Sequence, residues 1–249
     1  MDFVLGLLWV IEIAGVAAIA ATACVVLYGG GRRAGLGAGR AAQIAGVAAV
    51  GLGGWFVASA VIASNGGYNT PLGQQVPWMP VAVVGSLAVL LALSRVPVLA
   101  QALAAPDMVS RLMLPHTFRV AGIVFLIAMA MGRLPALFAV PAALGDIATG
   151  IAAPLVARRL ARGTGRRSAL WFTAFGIMDL VVALTLGALI RYQLIDVTPS
   201  GHAITELPLV LIPTVAVPLM LTLHITSAIA LIRSRRTVQS GAGPVGAMA

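Results

Sequence analysis

Residues 115–131 read PHTFRVAGIVFLIAMAM, and whether this stretch crosses a bilayer decides the fold. Its uninterrupted apolar part, 120–131, is shorter than the roughly 20 helical residues that a hydrocarbon core requires. The stretch spans only if His116 and Arg119 occupy its first turns, with Arg119 snorkelling toward headgroups. Six other segments raise no such question: 3–28, 41–64, 81–104, 134–157, 168–190 and 207–232 are long and apolar. Counting 115–131, the chain reads as an all-α polytopic integral membrane protein of seven transmembrane helices. Without it, six remain.

Composition supports the bilayer as solvent. The 249 residues are 60% hydrophobic and only 9% charged, too few charges to cover a soluble domain of this size. All 16 basic residues are arginine, set against 7 acids for a net charge of +9. In a soluble chain that surplus would suggest nucleic acid. Here the arginines cluster between apolar runs, where they act as topology signals and touch anionic lipid headgroups, so the expected partner is the lipid bilayer and not nucleic acid.

The connections alternate in charge. Arg32, Arg33 and Arg40 follow the first segment, Arg95, Arg111 and Arg119 surround the third connection, and Arg158 to Arg167 mark the fifth. The positive-inside rule places all arginines but Arg133 and Arg191 in the cytoplasm, with the N-terminus outside and the C-terminus cytoplasmic. This alternation needs an odd number of spans, an independent reason to count 115–131. Residues 1–236 then form one seven-helix domain of a multi-pass inner-membrane protein, followed by a flexible cytoplasmic tail, 237–249. No basic residue precedes the first segment, so it reads as a retained helix and not a cleavable signal.

Three local features qualify this plan. The Gly-rich connection 29–39 reads as flexible. Gly46, Gly51, Gly53 and Gly54 suit close helix packing, and a homodimer is compatible with so few helices. The third segment either continues to Ala104 or stops at Ser94, leaving 96–114 on the cytoplasmic membrane surface.

Ionisable residues deep in membrane helices are costly, about 2.5–3.5 kcal/mol each at the centre, and so point to function. Asp146 and Asp179 lie about 16 Å from the cytoplasmic ends of their segments, at 1.5 Å per residue. These segments are neighbours, so the two carboxyls can face each other. Glu12 reaches the same central layer from outside and His224 from the cytoplasmic side. Thr149 and Gly150 follow Asp146 on one helical face, offering a hydroxyl and space. Pro141 removes a backbone donor and frees the carbonyl of Leu137. His116 and Arg119 read either as headgroup anchors or as a cation pair that binds phosphate or carboxylate.

Several chemistries are excluded. The chain has no lysine for a retinal Schiff base, no phosphate-binding loop, no Gly-x-Ser-x-Gly elbow and no Cys-x-x-Cys pair. Cys24 stands alone, so no disulfide or cysteine zinc site forms within the chain. His202 and Glu206 have i, i+4 spacing with Asp196 nearby, but the helix dipole already favours Glu206 there, and no metal or cofactor is expected.

The resulting expectation is a midplane site. Asp146 and Asp179 exchange protons or hold a cation, His224 relays them and Glu12 tunes the pair, with Thr149, Arg119 and His116 contacting a small solute. That describes a proton-coupled small-solute transporter or a proton/cation pathway. The alternatives are an intramembrane enzyme acting on a lipid or isoprenoid, and a membrane subunit or scaffold without chemistry.

Overall fold

In hydrocarbon every backbone N–H and C=O must be satisfied within its own segment, so long apolar runs become helices. The computed structural model describes the backbone of residues 2–69 and 76–240, with side chains within 3–69 and 76–233. Every regular element among these residues is helical. The long ones are α1 (Asp2–Arg33), α2 (Ala38–Ser64), α7 (Ala136–Ala161), α8 (Arg166–Arg191) and α9 (Val217–Ser240). Between α2 and α7 come α3 (Trp78–Leu93), α4 (Pro97–Leu103), α5 (Met108–Leu112), a 3₁₀ helix (Leu114–Gly122) and α6 (Ile123–Ala130). Six spans are long and apolar enough to cross a membrane, and α3 with α4 makes a seventh if that bent pair counts as one. The chain is a multi-pass membrane protein.

The segment 81–104 breaks where the shorter reading has it stop. Val96 precedes Pro97 and is extended, with ψ 130, because proline disfavours helical geometry in the residue before it. The chain therefore bends by 84° between α3 and α4. The surface element is shorter than 96–114, since at Met108 the chain already enters the next span.

That next span corrects the reading of 115–131. It runs over the 23 residues Met108–Ala130, starting a turn and more before Pro115. Its middle is the 3₁₀ helix of 9 residues, which at about 2.0 Å per residue is longer than an α-helix of equal length. A short apolar stretch thus becomes a full crossing, and Arg119 lies at its middle instead of its mouth.

The last span is irregular too. A 3₁₀ turn (Gly201–Thr205) and a π turn (Ile212–Ala216) precede α9. Pro213 and Pro218 each lack a backbone donor, which loosens the hydrogen-bond ladder at this point. α7, by contrast, runs unbroken through Pro141 and Pro154.

The Gly-rich connection is tight, not loose. α1 continues to Arg33, and the chain turns through Gly35 and Gly37 at φ 78 and 75. Gly30 lies against α4: a Cβ there would come within 2.6 Å of the Ala102 carbonyl oxygen. Of the expected tail 237–249, residues to Ser240 belong to α9 and 241–249 lie outside the described residues.

Around the central spans, α7 packs on α8 and on the 3₁₀ helix, α1 packs on the 3₁₀ helix and α2, and α3 packs on α9. α2 and α3 diverge, leaving a groove of about 1310 Å³ between them. At one end of the bundle Arg133 donates to Glu206 (2.9 Å), Glu206 lies 3.7 Å from His202, and Asn69 joins His202 (2.9 Å) to Arg191 (2.7 Å). His202 and Glu206 are therefore members of a surface polar network that links three connections.

The contact at Gly30 yields a first test. Gly30→Leu should lower stability by about 1–3 kcal/mol through overpacking against Ala102 and Met108. Gly46→Leu, on a face with nothing within 4 Å, should melt at or above wild type in the same detergent. Equal melting shifts in the two variants would contradict the tight α1–α4 contact.

Candidate functional site

A 3₁₀ helix has three residues per turn, so side chains three apart lie in one row. In Leu114–Gly122 that row is His116, Arg119 and Gly122, and all three are buried. The lowest member of the row by size lets α7 come close: a Cβ on Gly122 would lie 2.5 Å from Asp146 Cβ. Gly150 does the same from the α7 side, where a Cβ would lie 2.7 Å from the Val120 backbone nitrogen.

Arg119 is only 3% exposed and is held by two helices. Its Nε donates to Asp146 Oδ1 on α7 at 2.7 Å, and its Nη2 donates to Asp179 Oδ2 on α8. Its Nη1 has no hydrogen-bond partner among the described residues. Asp179 reaches the guanidinium by lying over Gly145, where a Cβ would come within 1.6 Å of its Oδ1.

Two expectations change here. Asp146 and Asp179 do converge, but on a shared cation instead of facing each other. Arg119 does not snorkel to headgroups, because a charge in mid-membrane is far cheaper when carboxylates neutralise it and accept its hydrogen bonds.

His116 is not at a headgroup either. It is 1% exposed and stacks on His224 of α9, with ring centroids 3.8 Å apart and planes at 30°. Phe172 of α8 packs against both rings, at 5.6 Å and 5.4 Å. Gly176 makes room for the imidazole: a Cβ there would lie 2.2 Å from His224 Nε2. That nitrogen and His116 Nδ1 have no hydrogen-bond partner among the described residues.

Glu12 enters from α1, where Gly15 lets the helix approach Ala121 of the 3₁₀ segment. It is 2% exposed and neither carboxyl oxygen has a partner among the described residues. With Arg119, Asp146, Phe118 and Met220 it lines a cavity of about 40 Å³. Thr149 is buried at 1% exposure, but its hydroxyl makes no hydrogen bond to Asp146 and has no partner among the described residues. Thr173, on α8, is buried in the same condition and was not singled out by sequence. Among the described residues no three of His, Cys, Asp and Glu are grouped as metal ligands.

The structure thus gathers Glu12, Arg119, Asp146 and Asp179 into one polar cluster, with His116 and His224 stacked one 3₁₀ turn along. Sequence reading missed the residues that make this possible, namely Gly122, Gly145, Gly176 and Phe172. The available signal was glycine beside acid, as Gly145 before Asp146 and Gly176 one turn before Asp179. Electrostatically the cluster sets three carboxyls against one guanidinium. Two of these carboxyls accept hydrogen bonds from the guanidinium, and Glu12 does not.

A family model described as Domain of unknown function (DUF8737) matches residues 76–232, and the chain belongs to that family. The matched part carries His116, Arg119, Asp146, Asp179 and His224, whereas Glu12 comes from outside it. No curated protein and no solved structure matches the chain.

The shared arginine has a measurable consequence. Arg119→Gln leaves two buried carboxyls without their cation and should cost about 3–5 kcal/mol of stability. Adding Asp146→Asn and Asp179→Asn to that variant should restore most of the loss, because the uncompensated charges are then gone. Thermal unfolding in one detergent compares the three proteins. An Arg119→Gln protein that melts like wild type would show that the bridge does not hold the spans together.

Proposed function

We propose that this protein conducts protons, or exchanges them for a small cation, across the cytoplasmic membrane through the cluster around Arg119. The observation that carries the reading is Glu12: a nearly fully buried carboxyl without a hydrogen-bond partner among the described residues, beside a 40 Å³ cavity that also touches Arg119 and Asp146. Space of that size suits a water or a small ion, which favours a proton/cation pathway over transport of a bulkier solute.

Arg119 is the element with two arrangements. With Asp146 and Asp179 both ionised it bridges them. When a proton neutralises one aspartate, the guanidinium loses a counter-ion and turns its Nη1 toward Glu12. A proton leaving Glu12 stabilises that second arrangement, so uptake on one side of the arginine is tied to release on the other. His116 and His224 form the approach from the Met108 end of the span, their stacked rings offering nitrogen atoms that accept and pass a proton. With the N-terminus outside, this end is cytoplasmic and Glu12 faces the exterior half. Thr149 supplies a hydroxyl beside the path.

An enzyme acting on a lipid or isoprenoid would need acyl-sized space at the acids. The large groove between α2 and α3 is lined by none of the six cluster residues, which argues against that reading. A scaffold would need neither a buried Glu12 beside Arg119 and Asp146 nor the cavity.

Reconstitution into vesicles with a trapped pH-sensitive dye tests the proposal. Under an imposed membrane potential the wild type should acidify the lumen faster than protein-free vesicles do. Glu12→Gln and Asp146→Asn should fall to the protein-free rate while still inserting. Full flux in Asp146→Asn would overturn the mechanism, and wild-type vesicles no leakier than empty ones would return the cluster to a structural role.

A further inference from the structure

The groove between α2 and α3 is independent of the charged cluster. Both walls belong to apolar helices, so the groove faces hydrocarbon. From Arg40 to Ile62 its α2 wall measures about 33 Å, the thickness of a bilayer core. Its volume of about 1310 Å³ exceeds the roughly 300–1,000 Å³ of ordinary small-molecule pockets.

Two observations identify the occupant. The α2 wall presents Ile44, Val47, Leu52 and Trp55 with Ala48 and Gly51 among them, an uneven apolar surface along the length of the groove. Fluid acyl chains fit such an uneven wall, and the length of the groove matches the bilayer core that they fill. At one end Arg40 and Gln43 line the groove one turn apart, and Arg40 is exposed without an ion pair among the described residues. A cation and an amide donor at the mouth of an apolar slot match a phosphate head above acyl chains. Trp78, half exposed, lines the opposite end, a residue type that settles at a membrane interface.

We infer that this groove is a lipid site that seats the acyl chains of an anionic phospholipid along α2, with its phosphate on Arg40. Gly51 and Gly85 line the groove and have nothing within 4 Å, so side chains added there fill it without a clash.

The test is native mass spectrometry of the full chain, released from bilayers of phosphatidylglycerol and phosphatidylcholine in equal amounts. Wild type should retain phosphatidylglycerol in preference to phosphatidylcholine. Arg40→Gln should lose that preference yet keep bound lipid. The double variant Gly51→Leu, Gly85→Leu should lose the retained lipid at an unchanged melting temperature. Retention in the filled variant equal to wild type, or no headgroup preference in wild type, would overturn the site. So would a lipid-free dimer that falls apart when the groove is filled, since the occupant would then be a second copy.

Discussion

An arginine in the middle of a membrane span constrains everything around it. Arg119 can stay charged in hydrocarbon only where carboxylates meet it, and its planar fork fixes the direction from which they must come. Asp146 and Asp179 satisfy that demand from two different helices. The bridge consequently sets the depth and rotation of the span Met108–Ala130 relative to α7 and α8, because a shift of one helix would strand a charge. Apolar packing alone distinguishes such registers poorly in lipid, where the tails are as apolar as the side chains.

The local geometry that delivers Arg119 is the 3₁₀ segment. An α-helix would fan His116, Arg119 and Gly122 over about a third of its circumference, whereas three residues per turn align them in one row. The imidazole then meets His224 on α9, the guanidinium meets both aspartates, and the glycine leaves room for the Asp146 side chain. Glycines on the opposing helices complete the fit: Gly145 beneath Asp179 and Gly176 beneath His224. Polar chemistry and close packing depend on each other here, since bulkier residues would hold the acids and the imidazole away from the row.

Much of this was legible in the sequence, and what was not has a specific cause. Apolar length found the spans because hydrocarbon thickness converts directly into residue number. Depth along straight helices likewise brought Asp146, Asp179 and Glu12 close to one level, with His224 one 3₁₀ turn away. Depth carries no information about rotation, so the sequence could not say that the two aspartates share a partner. Arg119 and His116 were misplaced for another reason: an α-helical ruler laid from Pro115 starts too late for a span that begins at Met108 and is partly 3₁₀. The Gly-rich connection was misread because glycine serves close approach as well as freedom. Gly30 against Ala102 is the former.

The order of the charges along the chain bears on how the protein is made. Arg119 emerges from the ribosome 27 residues before Asp146 and 60 before Asp179. Until those acids arrive, the span Met108–Ala130 holds an uncompensated cation and only the eight apolar residues of α6 as an uninterrupted helix. Its entry into lipid therefore carries the cost of that charge until α7 and α8 supply the counter-ions.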